Sequence, residues 1–195
     1  MPSPIFVIRR HHDGRCLHTF IMVAVLENGK KIPLNFTSGT VLVLKPGTAG
    51  GRANLNASGR WPAFVLELFN ATGDILLYIS ISPRRITFKD FAHRSLGDGW
   101  GKEQTVEMKF AHEGGTVSIH HYMNDSKFGR YQILLNGITV CLFDKRLPGP
   151  ATWISYKDDV TPRGDHGGWG PFYWDVGVYQ IGDLLPEDRL ALVRG

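Results

Sequence analysis

Residues 75–103 read ILLYISISPRRITFKDFAHRSLGDGWGKE. Apolar residues alternate with Tyr78, Ser80 and Ser82 as far as Pro83, the period of a strand with one buried face. A second strand-like run, 86–91, follows at once. The turn Gly97-Asp98-Gly99 then delivers Trp100, with Glu103 three residues on. An indole and a carboxylate raised together from a turn suit a sugar. The ring packs on the apolar C–H face of a pyranose, and the carboxylate accepts hydrogen bonds from its hydroxyls.

Working outward, strand-like segments recur at short intervals: 5–9, 17–26, 31–36, 40–44 and 63–69 before the quoted stretch, and 105–110, 116–122, 131–135, 139–143, 153–156 and 172–181 after it. Several alternate apolar and polar residues, as half-buried sheets do. Asn136-Gly137 is a hairpin signal, because both residues accept the positive φ of a tight turn. Residues 45–60 and 161–171 are Gly-rich loops by composition. One short helix is expected at 186–193. The pattern predicts an all-β protein, an antiparallel two-sheet β-sandwich of jelly-roll type, in a single domain over 1–195.

Composition agrees. The chain has 195 residues, 43% of them hydrophobic, with 23 Gly and 11 Pro, enough for a core and for many turns. No apolar run approaches the ~18–20 residues of a membrane span. The N-terminus lacks a signal-peptide pattern, so synthesis in the cytoplasm is expected, with a non-classical route of secretion left open. Cys16 and Cys141 are the two cysteines; in that compartment they are expected to be reduced and buried rather than bridged. Sequons at Asn35, Asn56, Asn70 and Asn124 are read as ordinary polar positions. Residues 1–60 carry 8 Lys and Arg against 2 Asp and Glu, a bias that suits an anionic surface or glycan and also an ordinary solvated face. No basic stripe is interleaved with aromatics, so nucleic acid is not expected as a partner.

The pieces resemble, in order, those of the galectins, and of the fungal galectins most closely. The galectin strand LLHxxxR or LxHFNPR matches Leu76-Leu77-Tyr78-Ile79-Ser80-Ile81-Ser82-Pro83. The V-x-F/C-N strand matches Ile86-Thr87-Phe88, and the W-G-x-E-x-R turn matches Trp100-Gly101-Lys102-Glu103-Gln104-Thr105. Downstream, 128–140, Phe143-Asp144-Lys145-Arg146-Leu147 and Trp153-Ile154-Ser155-Tyr156 resemble later family segments. The resemblance covers residues 60–160 well and the ends loosely. It implies a galectin-like jelly roll whose concave sheet binds carbohydrate without a metal or cofactor, with glycans as partners and a homo-oligomer as the assembly. On the matched positions the carbohydrate-binding set is Trp100, Glu103, Tyr78, Ser80, Ser82, Lys89, Arg94 and Thr105.

The departures bear on specificity. Tyr78 stands where the family has His, Ser82 where it has Arg, and Thr105 where it has the second Arg. The family Asn falls on Ala92 if spacing is kept from Trp100, or on Lys89 if Phe88 is matched. Each lost hydrogen-bond partner costs ~1–3 kcal/mol, so simple β-galactosides are expected to bind poorly.

Other readings stand beside this one. Glu103 and Glu107 on one strand lie ~13–14 Å apart, beyond the ~5–9.5 Å a glycosidase pair needs. Only a cross-strand acid such as Asp90 or Asp98 keeps hydrolysis open, and no enzyme is expected. Adjacent histidines 120–121 point to opposite faces of a strand, and no zinc spacing occurs. Arg163-Gly164-Asp165 is too short a motif to weigh. Trp100 reads as a half-exposed platform or as a packing residue, Tyr78 as a second platform or a cross-strand aromatic. A galectin-fold protein-interaction domain without sugar binding is the alternative function. For association, the apolar run Phe172-Tyr173-Trp174 with Val176, Val178 and Ile181 is read as an edge strand for pairing.

Overall fold

The computed structural model describes residues 23–46, 64–82, 84–93, 99–107, 116–158 and 173–181. Thirteen strands run through them: β1 (Val23–Glu27), β2 (Lys31–Phe36), β3 (Thr40–Pro46), β4 (Phe64–Phe69), β5 (Ile75–Ile81), β6 (Arg85–Ala92), β7 (Gly99–Trp100), β8 (Gln104–Glu107), β9 (Val117–Tyr122), β10 (Arg130–Leu135), β11 (Ile138–Asp144), β12 (Ala151–Asp158) and β13 (Tyr173–Gln180). Among the described residues there is no α-helix. All strand pairings are antiparallel. One sheet has the order β1-β13-β3-β9-β10-β11. The other runs β2-β12-β4-β5-β6, with β7 and β8 both pairing β6.

Alternation in the sequence becomes the two faces of each sheet. Phe64, Leu66 and Leu68 of β4, Ile79 and Ile81 of β5, and Ile86 and Phe88 of β6 point inward and are fully buried. They meet Leu42 and Leu44 of β3, Ile119 of β9, Ile133 of β10 and Trp174 of β13 from the other sheet. Burying side chains of this size stabilises each site by about 1.5–3 kcal/mol. Trp174 joins the layers: its ring lies 5.3 Å from Phe64 and 6.3 Å from Tyr156, both on the opposite sheet. The Asn136-Gly137 turn has φ of 51° and 77° and joins β10 to β11 with Leu135 opposite Ile138.

The two-sheet sandwich expected from the sequence is therefore present. Three expectations change. Gly99–Trp100, read as part of a turn, forms a two-residue strand on β6. β13, read as an edge available for pairing between chains, lies between β1 and β3. Its Trp174, Val176 and Val178 are core, because the same apolar residues that suit an edge contact are needed to join the sheets. Ala92 is fully buried on the inner face of β6, whereas Lys89 points outward. Cys141 is a buried free thiol, raised to about 12 by burial; Cys16, strand 5–9, most of 17–26, residues 108–110 and the 186–193 helix lie outside the described residues.

His121 shows how tightly the core is sealed. It is 4% exposed, with ring centroids 5.8 Å from Phe36 and 5.0 Å from Tyr131. Burial, and secondarily the charge of Lys145, lowers its pKa from 6.5 to about 4. The unfolded chain then takes up a proton at higher pH than the folded one. Stability held above pH ~6.5 is lost as pH falls toward 4, by at most on the order of 3 kcal/mol. Urea unfolding of the wild type and His121→Phe across that window checks this. The wild type should lose stability more steeply than the variant; parallel curves contradict it.

Candidate functional site

The outward face of the β2–β8 sheet is arranged in rows that cross the strands. Alternation assigns this face to Trp153 and Ser155 on β12, Glu67 and Phe69 on β4, Tyr78 and Ser80 on β5, and Thr87, Lys89 and Phe91 on β6. Cross-strand register then links Trp153 to Phe69, Phe69 to Ile75, Ile75 to Phe91 and Phe91 to Trp100, a largely apolar row. Beside it runs a polar row from Lys31 through Ser155, Glu67 and Tyr78 to Lys89. A third row links Lys157, Val65, Ser80, Thr87 and Thr105.

Trp100 and Glu103 sit where β6 runs out of a continuous partner. β8 pairs with its first half, Arg85 to Phe88, and β7 with Phe91 and Ala92. Between them Gly101 N–H donates to the Asp90 carbonyl at 2.8 Å. Beneath that point the Asp90 carboxylate, 3% exposed, accepts from Arg146 Nε at 3.0 Å and Nη2 at 2.8 Å. Arg146 also donates to the Gly99 carbonyl at 3.4 Å. A Cβ on residue 101 would stand 2.0 Å from Asp90 Oδ1, so the residue after the tryptophan must be glycine. The connection from Gly99 to Glu103 is thus stapled to β6 from below, with its side chains turned up.

Trp100 is 50% exposed. Tyr78 meets it edge-on at 5.4 Å and Phe91 at 5.0 Å. Lys89 completes the cluster: its Nζ lies 4.2 Å from the indole centroid, 4.9 Å from the Tyr78 ring and 3.9 Å from Glu103 Oε2. Thr105 Oγ1 donates to Glu103 Oε1 at 3.4 Å. The sequence-derived residues Trp100, Glu103, Tyr78, Lys89 and Thr105 therefore stand together. Ser80 is one row away, opposite Thr87. Ser82 lies at the strand end, its Oγ donating to the Arg85 carbonyl at 2.9 Å and accepting from Arg85 N–H at 3.2 Å, so it closes the β5–β6 turn. Arg94, Asp98 and most of the 45–60 and 161–171 loops lie outside the described residues.

Sequence reasoning missed Arg146 and weighed Asp90 only as an acid. The signals were the Lys145-Arg146-Leu147 segment and an acidic residue at an inward position of β6, where an unpaired carboxylate is too costly to bury. Farther along the face, Lys31 Nζ lies 3.8 Å from the Phe69 ring and 5.6 Å from Trp153. Glu67 accepts from Ser155 Oγ at 2.7 Å and pairs with Lys157 at 3.4 Å. Among the described residues no group of acidic, His or Cys side chains could hold a metal ion.

No family model matches the chain. Solved structures do. Sheep galectin-11, solved as a complex with glycerol, superposes with a TM-score of 0.55 at 18% identity, over 78% of this chain and 98% of its own. A toad ovary galectin, solved with N-acetylgalactose, gives 0.50 at 14% identity, over 77% and 97%. The fold is that of the galectins. At such low identity the galectin likeness is one of architecture, and side-chain roles in this chain must come from its own geometry.

The staple under the turn predicts a structural penalty. Gly101→Ala should displace the Asp90 carboxylate from Arg146 and destabilise the protein by about 1–3 kcal/mol, read as a lowered thermal midpoint. A midpoint equal to wild type would mean the ion pair does not hold this turn.

Proposed function

We propose that the protein is a galectin-like carbohydrate-binding lectin, with glycans as its partners and no enzymatic activity, and that the sugar lies on the face carrying Trp100 and Glu103. The observation that supports this most is the half-exposed indole held over a stapled turn beside a solvent-facing carboxylate. An exposed indole with an adjacent acceptor meets both sides of a pyranose: stacking for its C–H face, hydrogen bonding for its hydroxyls. Asp90, the acid that would have kept hydrolysis open, is turned inward and tied to Arg146. Glu103 is left without a second carboxylate across the strand there, which favours binding over bond cleavage.

We further propose an altered specificity. The matched positions for the family's charged galactose contacts are Tyr78, Ser82 and Thr105, and the outward cation is Lys89. Ser82 spends its hydroxyl on the turn. Weak binding of simple β-galactosides follows, and a larger glycan fits better. The kinship with fungal galectins rests on the sequence motifs alone. A homo-oligomer is part of the proposal, because a weak single site gains avidity from pairing; β13 is not the pairing edge. The alternative, an interaction domain that kept the fold and lost sugar binding, is favoured by one feature: the Lys89 ammonium already sits against the indole.

Glycan-array screening with the wild type and Trp100→Ala decides between the two. Trp100→Ala should abolish glycan binding while the thermal midpoint changes little, since the ring is half exposed. A loss of ~3–5 kcal/mol of stability with binding kept would mark a packing residue instead. Strong, lactose-eluted retention on lactose-agarose would overturn the altered specificity.

Lys89 yields a second test. A cation over an aromatic face contributes ~0.5–2 kcal/mol, which a neutral sugar must displace to stack there. Lys89→Met keeps the stem and removes the charge. Its affinity for a neutral glycan should rise by about two- to thirty-fold, measured by titration calorimetry. Unchanged or weaker binding would show that the ammonium does not compete for the ring.

A further inference from the structure

Trp153 is the feature that the Trp100 site does not use. It is 40% exposed on β12, at the opposite end of the same apolar row. A core position has no use for an exposed indole, and its inward neighbours Ile154 and Tyr156 are fully buried. We propose that Trp153 is a second stacking platform, and that the ligand is a linear, neutral glycan lying across the strands from Trp100 to Trp153. This rests on the reading of Trp100 given above and deepens it by assigning the ligand's length, direction and charge.

The length follows from the register. β12, β4, β5, β6 and β7 are successive neighbours, so the indoles are four inter-strand steps apart, ~19 Å at ~4.8 Å each, about four pyranose units. The direction follows from the rows. Phe69, Ile75 and Phe91 make a partly buried apolar floor between the indoles, while Ser155, Glu67 and Tyr78 offer hydroxyls and a carboxylate along one side. A sugar chain has the matching cross-section, with apolar ring faces and polar edges. The charge follows from pairing. Lys89 is matched by Glu103, and Lys157 by Glu67, so the row offers hydrogen bonds rather than a net positive field. The Lys31 ammonium, seated on Phe69 and Trp153, is positioned to donate to a sugar hydroxyl at that end.

Titration calorimetry with two size series, N-acetyllactosamine repeats and cello-oligosaccharides of two to six units, tests this on wild type, Trp153→Ala and Trp100→Ala. In at least one series the wild type should gain roughly ten-fold in affinity as the chain reaches about four units. Trp153→Ala should lose that gain, keep the short-chain affinity and melt close to wild type; Trp100→Ala should bind neither short nor long chains. Trp153→Ala following the wild type at every length would overturn the proposal and leave the Trp100 site standing. So would a wild type that binds short and long chains equally. A wild type that binds no chain of either series would overturn both readings.

Discussion

The Asp90–Arg146 ion pair beneath Gly101 is the constraint on which the proposed site depends. β6 is long, and its outer edge is covered by two short strands that do not meet. The gap must be crossed by chain that neither drifts off the sheet nor collapses into the core. One backbone hydrogen bond and one largely buried carboxylate, satisfied by a guanidinium, hold it there. Such a pair is weak evidence for net stability, because desolvation offsets its attraction. Its value lies in position. It fixes where the chain must run close, and so where Trp100 and Glu103 must face outward.

That geometry gives a physical account of a short motif. In Trp100-Gly101-Lys102-Glu103 the tryptophan leaves a two-residue strand on the outward side, beside Phe91. The glycine passes over the ion pair, where no side chain fits. The glutamate arrives opposite Lys89 just before β8 begins. Spacing within the motif reports the width of the gap between β7 and β8, not chemistry alone. A tryptophan and a glutamate at the same spacing without the staple would not be held in this relation.

The architecture was legible because most strands alternate cleanly and the turns carry their own chemistry. Asn136-Gly137 is the plainest case. What misled was the meaning of uniformly apolar strands. β13 reads equally well as an exposed edge and as a buried centre, since periodicity does not distinguish them; only the neighbours β1 and β3 decide. The site was legible where the motif is contiguous, at Trp100 and Glu103. It was ambiguous between Ala92 and Lys89, until alternation along β6 put alanine in the core and lysine beside the indole. It was illegible at Trp153 and Arg146, because register across five strands, and a contact between residues 56 apart in sequence, are not local properties.

Lys89 links the two ways of reading this face. An ammonium over an indole, balanced by a carboxylate, is a self-satisfied arrangement that keeps the apolar row from being exposed without relief. In a domain that had simply lost sugar binding, nothing would maintain a second half-exposed indole at Trp153, nor a row of polar side chains running between the two. The lysines instead sit at both ends of the row, each on aromatic rings, each on a flexible stem able to swing aside. A face built so is protected when empty and open to a ligand long enough to reach both ends, because only such a ligand recovers at two platforms what it costs to displace two ammonium groups.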